Sequence, residues 1–461
     1  MRLGHRIKCF SLVIFFVALA LRLSIAWRSG FFTTFQHDEM VRIALSVLKY
    51  HEYGNPYLVR TGPTAHEMPL YPLFLSLIYL IFGSGSLAEG VKIALACVLT
   101  ALRCALIPVL CLDVGLGRRV AITAGVLASI YISALQTEVR GNWDGPWQAL
   151  VILILTWMTV RVWSDRSRLT RMPWQYSILW GFGILLQPAF LPILLVFLLA
   201  GLIVSPKSEH RRYFKNCMAV LLTVVAFLLP WAIRNDLQFG KLIWTRDNFG
   251  LEFWLSNGPG RAFDMPTNLG LSVPHPSLDL HEAQLVSQIG EVRYNQAKLR
   301  EAEAWVRTHP IQFAHLTVLR FLAWWFPPGR STLHRVFSSG FSLLAFIGLG
   351  LMFRIQRLLA VLFSLTWTSF PLVYYLIQWS SKYRYPVEWE LVICAGLAIS
   401  AASEFAVRLF AQSQANMPFH TGNGAAQPRA QSSPFPRWLW AQPRSRQRIT
   451  ETRISVRVRR R

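Results

Sequence analysis

The sequence predicts an all-α polytopic membrane protein. The chain has 461 residues, of which 53% are hydrophobic and only 15% are charged. Apolar runs long enough to cross a bilayer recur along the chain, and about 20 residues suffice for one helical span. The short alternating segments of a membrane-spanning barrel are absent from the sequence.

The charge distribution supports the same class. A net charge of +24 is compatible with nucleic-acid binding, but the basic residues cluster between the apolar runs and near the C-terminus. Cytoplasmic loops of membrane proteins have this pattern. We therefore predict membrane lipids as surroundings and no nucleic-acid partner.

The cysteines indicate packing rather than chemistry. Cys97, Cys104 and Cys111 recur every seven residues inside one apolar run, which places them on one helical stripe as small buried side chains. Their spacing matches neither a zinc site nor a disulfide framework.

The first membrane helix is expected over residues 10–27. A cleaved signal peptide is the alternative, since Ser24-Ile25-Ala26 resembles a cleavage site, but the multi-spanning context favours a retained anchor. The Lys and Arg residues of the short loops then set the orientation. With residues 70–82 in the interface, the predicted spans number about ten: 10–27, 91–113, 120–134, 146–163, 174–188, 190–204, 217–231, 341–353, 358–379 and 391–410.

The chain divides into a membrane domain, residues 1–410, and a tail, residues 411–461. The domain includes a first external loop at 28–90, with juxtamembrane helices, and a second large external loop at 234–335. The second loop is expected to contain an amphipathic helix at 281–308 and an interfacial or re-entrant segment at 310–326. The tail is rich in Gln, Pro, Ser and Arg, which predicts a disordered cytoplasmic segment able to bind anionic lipids.

Four polar clusters fall on the predicted outer face. They are Asp38-Glu39, His66-Glu67, Asn142-Trp143-Asp144 and Lys382-Tyr383-Arg384-Tyr385. Acids beside membrane helices are costly to bury and are candidates for function. Acids and bases on one side suit a reaction with a phosphate leaving group.

Each cluster suggests a role. Lys382, Arg384 and Tyr385 would bind a lipid phosphate, with His66 and Glu67 also in contact with substrate. One carboxylate among Asp38, Glu39 and Asp144 would take a proton from an acceptor hydroxyl. Alternatively, Asp38 and Asp144 would hold a divalent metal ion that neutralises the leaving phosphate.

Structural alternatives stand beside these roles. Asp144 precedes Gly145-Pro146 and is suited to cap the following helix. Lys382 and Arg384 are suited to anchor a helix end among lipid headgroups. His66 and Glu67 are equally compatible with a solvated loop.

The order of motifs resembles a known family. The acidic pair Asp38-Glu39 soon after the first span, followed by PLYPLFLSLIYLIFG from Pro69, resembles bacterial glycosyltransferase family 39, the PMT-2 or ArnT-like family. Further stretches add to the resemblance, which covers residues 10–406. They are Asp144-Gly145-Pro146; Pro230-Trp231-Ala232-Ile233-Arg234-Asn235, followed by Phe239-Gly240 and Asn248-Phe249-Gly250-Leu251-Glu252; Glu303-Ala304-Trp305-Val306-Arg307-Thr308-His309-Pro310; and Tyr383-Arg384-Tyr385-Pro386-Val387-Glu388. The chain departs from the family pattern at Met68 and Gln187.

The resemblance implies a GT-C fold and a membrane glycosyltransferase. Such an enzyme moves a sugar from a polyprenyl-phosphate donor to a hydroxyl of a lipid, glycan or protein at the periplasmic face of the inner membrane. It also implies that Asp38, Glu39 and Asp144 are catalytic. The alternatives are a transporter or flippase of lipid-linked sugars, and a family member that has lost activity. A transporter usually shows an internal repeat and charges near the bilayer midplane, which this sequence lacks.

Overall fold

The computed structural model describes residues 2–32, 38–131, 138–164, 174–329 and 331–415. These residues form α-helices joined by turns and short 3-10 segments, with no extended strand among them. The helices are α1 (Arg2–Arg28), α2 (Glu39–Tyr50), α3 (Leu70–Phe82), α4 (Ser86–Asp113), α5 (Arg118–Ile130), α6 (Gly145–Ser164), α7 (Trp174–Leu186), α8 (Phe190–Val204), α9 (His210–Phe239), α10 (Phe249–Ser256), α11 (Met265–Gly270), α12 (Leu280–Ile289), α13 (Glu291–Thr308), α14 (Pro310–Trp325), α15 (Thr332–Ile355), α16 (Arg357–Ser369), α17 (Ser381–Arg384) and α18 (Glu388–Ala415).

The prediction of an all-α polytopic membrane protein is confirmed. Within the described residues, six helical segments are long and apolar enough to cross a bilayer: Cys9–Arg28, Ser86–Asp113, Gly145–Ser164, Lys207–Phe239, Arg335–Ile355 and Ser381–Ser413. The apolar helices α3, α8 and α16 are shorter. Each predicted span overlaps a helix, residues 132–134 of the span 120–134 lie outside the described residues, and the number of actual crossings stays a prediction.

One predicted span is wrong at its C-terminal end. The prediction continued a helix through residues 358–379, but α16 ends at Ser369 and a 3-10 turn follows at Val373–Tyr375. Pro371 accounts for the break, because proline has no N–H and its ring clashes with the carbonyl four residues earlier. The unwound segment is free to line a cavity.

The predicted amphipathic helix at 281–308 is two helices, α12 and α13. Gly290 separates them with φ at +83°, a backbone conformation that side-chain-bearing residues rarely adopt. The predicted second external loop, 234–335, begins and ends within helices, since α9 continues to Phe239 and α15 begins at Thr332.

The two predicted external loops pack against each other. Tyr57 of the first loop is buried with Leu251, Val286 and Tyr294 of the second. These residues form a small apolar core beyond the ends of the spanning helices. That core fixes the positions of α10 and of the connecting segments that carry several of the polar residues described below.

The membrane helices contain a buried charge cluster and buried cysteines. Arg22 of α1 donates through Nε to Glu138 at 2.7 Å, and Arg103 of α4 pairs with the other carboxylate oxygen. Because both basic groups share one buried acid, the cluster ties α1 to α4. Cys97, Cys104 and Cys111 are buried thiols without disulfides, as the heptad spacing predicted.

The residues Met1–Ser400 form one compact unit. The second unit, Ala401–Arg461, is described only to the end of α18 at Ala415. Most of the predicted basic tail, 411–461, therefore lies outside the described residues.

Candidate functional site

A cavity of about 730 Å³ lies among the helix ends and connections that the charge pattern assigns to the outer face. Five of the predicted site residues line it: Asp38, Glu39, Glu67, Asp144 and Lys382. Their segments are far apart in the sequence, so the fold brings them together. The remaining predicted residues, His66, Arg384 and Tyr385, do not line the cavity.

Glu39 is held by three side chains. Its carboxylate lies 3.4 Å from His66 Nε2 and 3.6 Å from His275 Nε2. It also accepts a hydrogen bond of 2.5 Å from the hydroxyl of Ser277. The other ring nitrogen of His66 lies 3.0 Å from the Tyr57 hydroxyl, which fixes the orientation of the imidazole. Glu39 is therefore a positioned group rather than a free carboxylate.

The pair of Glu39 and His66 is ionic at neutral pH. Burial alone would lower the pKa of His66, but the Glu39 carboxylate outweighs burial and raises that pKa to about 10. Burial alone would raise the pKa of Glu39, but His66, His275 and Ser277 hold it below its usual range. The two shifts describe one imidazolium–carboxylate pair.

Glu67 pairs with a residue that sequence reasoning missed. Its carboxylate lies 3.0 Å from a guanidinium nitrogen of Arg246, which also lines the cavity. His66 is 1% exposed and Glu67 is 7% exposed. The alternative of a solvated loop at these two residues is therefore wrong.

Asp144 lies at the start of α6 and is buried. Its backbone carbonyl accepts from the Gln148 N–H at 3.0 Å, and its carboxylate interacts with the Gln148 side chain. Gly145 is needed next to it, because a Cβ there would lie 2.1 Å from the Trp143 ring. Burial raises the pKa of Asp144, against the opposing effects of Arg246 and Lys382.

Asp38 is the accessible acid of the site. It precedes α2, but its side chain makes no capping hydrogen bond to that helix. Desolvation in the cavity raises its pKa, and the charge of Lys382 acts in the opposite direction. Lys382 thus influences both Asp38 and Asp144, and it forms no ion pair among the described residues.

The structure does not bring Arg384 to the cavity. Its guanidinium is buried and donates to the Trp324 carbonyl at 2.8 Å, to Glu388 at 2.9 Å and to the Tyr131 hydroxyl at 3.3 Å. Neither the predicted phosphate role nor the headgroup-anchor alternative fits this position. Tyr385 is buried as well, 3.3 Å from the Thr100 hydroxyl and with its ring 5.3 Å from that of Trp143.

Glu252, Arg246 and His275 line the cavity without having been predicted as site residues. All three come from the predicted second external loop. Only Glu252 lies in a stretch that carries the family resemblance, Asn248-Phe249-Gly250-Leu251-Glu252. Glu252 has a buried carboxylate oxygen with no hydrogen-bond partner among the described residues. Desolvation raises its pKa to about 7, despite the opposing charge of His66.

Replacing Glu252 is expected to change the pH dependence of stability. The folded state holds the Glu252 proton up to about pH 7, whereas the unfolded state releases it near 4.5. Wild-type stability therefore falls as pH rises between these values, by at most about 1.4 kcal/mol per pH unit from this group. Glu252→Gln should show a shallower fall in thermal midpoint from pH 5 to 8. The control Glu303→Gln replaces a carboxylate that is 46% exposed and should follow the wild type. Parallel curves for all three proteins would contradict the prediction.

One group of side chains can hold a metal ion. The ligand atoms of Glu39, His66 and Glu67 lie within 4.8 Å of one another. The predicted metal ligands, Asp38 and Asp144, are not part of this group. Two carboxylates and an imidazole suit a divalent transition ion, and the Tyr57 contact leaves His66 Nε2 directed at the site.

These features define a polytopic helical membrane protein with an acid-rich cavity at one end of its helices. No family model and no curated protein sequence matches the chain. Among solved structures, it is similar to the oligosaccharyltransferase AglB of Archaeoglobus fulgidus in complex with an inhibitory peptide and a dolichol-phosphate. The identity is 12% and the TM-score 0.49, over 92% of this chain and 53% of that one.

A second similar structure is the Archaeoglobus fulgidus oligosaccharyltransferase in complex with Zn and sulfate. The identity is 13% and the TM-score 0.44, over 88% of this chain and 50% of that one. The present chain thus spans about half the length of either protein. Similarity at these TM-scores does not establish a shared activity, and membership of family 39 stays a prediction.

Proposed function

We propose that the chain is a GT-C membrane glycosyltransferase. It would move a sugar from a polyprenyl-phosphate donor to a hydroxyl of a lipid, glycan or protein at the periplasmic face of the inner membrane. One observation carries the proposal: Asp38, Glu39, Asp144 and Lys382, from separate parts of the chain, line one cavity at the end of the membrane helices.

Lys382 is the residue proposed to bind the donor phosphate. Its ammonium group faces the cavity without an ion pair among the described residues, so a phosphate would supply its counterion. The wall also contains apolar residues near two helix breaks: Pro188 between α7 and α8, Pro192 in the first turn of α8, and Phe370 and Leu372 after α16. An isoprenoid chain entering from the bilayer would contact such surfaces.

Asp38 is the carboxylate proposed to react with the acceptor. The acceptor oxygen would form a bond to the sugar C1 while the bond from C1 to the phosphate oxygen breaks. The hydroxyl proton would pass to Asp38, and the phosphate would leave with the bonding electrons. Asp144 would lie beside the sugar, and Glu39 would hold its histidine partners in place.

A metal ion would bind at Glu39, His66 and Glu67. When bound, a divalent cation supplies positive charge that stabilises a leaving phosphate. His66 would bind it as a neutral imidazole, so the ion must displace the proton that Glu39 stabilises.

Metal binding is expected to stabilise the folded protein. Because a ligand that binds only the folded state raises its stability, Zn²⁺ or Mn²⁺ should raise the thermal midpoint of the wild type, and chelator should reverse the change. His66→Gln should remove the response. His281→Gln replaces an exposed histidine of α12 and should leave the response intact. An unchanged response in His66→Gln would exclude this site.

The function is tested by sugar transfer in reconstituted membranes. Purified protein would receive defined polyprenyl-phosphate sugars and a panel of hydroxylated acceptors, with and without chelator. A glycosylated acceptor supports the proposal. Movement of the intact donor between leaflets without any glycosylated product would instead favour the flippase alternative.

A further inference from the structure

One wall of the cavity carries neutral polar side chains. Asn142, Gln148 and Gln187 line it, together with the indole of Trp143. Asn142 is 6% exposed and Gln148 is 3% exposed. Amides buried near the ends of membrane helices are costly to maintain, so their presence calls for an explanation.

Hydrogen bonds join two of these amides to Asp144, whereas the third amide has an oxygen without a partner among the described residues. Gln187 Nε2 donates to Gln148 Oε1 at 3.1 Å, and the Gln148 side chain interacts with the Asp144 carboxylate. Asn142 Oδ1 is buried and has no hydrogen-bond partner among the described residues. A buried acceptor that faces a cavity without a partner indicates that a ligand supplies the donor.

The indole of Trp143 is held in place from behind. Its ring contacts Tyr385 at 5.3 Å between ring centroids, and Gly145 leaves space for it. Tyr385 is fixed in turn by Thr100 and by the guanidinium of Arg103, 4.8 Å from the Tyr385 ring centroid. The wall therefore combines a supported aromatic face with amide groups that both donate and accept.

We infer that Asn142, Trp143, Gln148 and Gln187 form the subsite for the donor sugar, and that they recognise this sugar through its hydroxyl groups. Hydroxyl groups both donate and accept, as amides do. The C–H face of a sugar ring packs on an aromatic ring. This inference rests on the proposed function, because it assumes a sugar joined to a phosphate.

The position of the wall fits that chemistry. Lys382 and Arg246 both act on Asp144, so a phosphate at Lys382 would place the attached sugar beside Asp144 and the amides.

The experiment measures equilibrium binding of two ligands in detergent micelles, polyprenyl phosphate and its conjugate with a neutral hexose. The wild type should bind the conjugate at least about tenfold more tightly than bare polyprenyl phosphate. Asn142→Leu and Gln187→Leu should each reduce roughly tenfold the ratio of affinities between the conjugate and bare polyprenyl phosphate. Affinity for bare polyprenyl phosphate should stay unchanged.

Binding of bare polyprenyl phosphate also reports on folding, since a misfolded variant would not bind it. Lys382→Met should weaken binding of both ligands. An undiminished sugar-dependent gain in affinity in both amide variants, or equal affinity of the wild type for the conjugate and for bare polyprenyl phosphate, would overturn the subsite. Failure of the wild type to bind bare polyprenyl phosphate would contradict the proposed function itself.

Discussion

Asp38→Asn is expected to abolish sugar transfer while the protein still folds and inserts. Asp38 is accessible and makes no capping hydrogen bond to α2, so its replacement removes no interaction that holds the helices together. An amide cannot accept the acceptor proton. General-base catalysis typically contributes about 10² to 10⁴ in rate, so transfer should fall by at least about a hundredfold.

Asp236→Asn is the matched control for that variant. Asp236 is an exposed acid near the end of α9, and its side chain does not line the cavity. This control should transfer sugar at the wild-type rate. Purified Asp38→Asn with near-normal activity would remove Asp38 from the mechanism.

Lys382→Met is expected to weaken donor binding roughly 10- to 100-fold, since hydrogen bonds to charged groups contribute about 1.5–3 kcal/mol. Lys382 faces the cavity and has no ion pair among the described residues. Its removal should therefore cost affinity for the donor and little stability. Donor affinity is measured directly, with the thermal midpoint recorded in parallel.

Arg384→Lys provides the opposite pattern. The Arg384 guanidinium contacts Trp324, Glu388 and Tyr131, which a lysine cannot reproduce together. Breaking a buried ion pair typically costs about 3–5 kcal/mol, and a lysine that keeps part of it should cost less. We expect a lower thermal midpoint and unchanged donor affinity. Reduced donor affinity in a stable Arg384→Lys protein, with Lys382→Met unaffected, would reverse the two assignments.

The helices could be predicted from sequence because the bilayer restricts the possibilities. Apolar runs and the basic residues between them were enough for each predicted span to overlap a helix, although the span 358–379 ran past the end of α16. Proline breaks could not be predicted in the same way. Pro108 and Pro230 lie inside continuous helices, whereas α16 ends just before Pro371. Tertiary packing decides which prolines a membrane helix accommodates.

The site was predictable where it lies at the ends of spans. Asp38, Glu39, Asp144 and Lys382 are there, and all line the cavity. Arg384 was misplaced because it lies two residues after Lys382 in a helical turn, so the two side chains point about 200° apart. Arg246, Glu252 and His275 come from the second external loop, whose fold depends on packing against the first loop.

The most direct test of the account is the stoichiometry of transfer in detergent micelles. Micelles have no second compartment, so a flippase would leave the donor chemically unchanged. The account predicts one released polyprenyl phosphate for each glycosylated acceptor, with both products absent in Asp38→Asn. Neither product from the wild type, across neutral-sugar donors and hydroxylated acceptors, would contradict it.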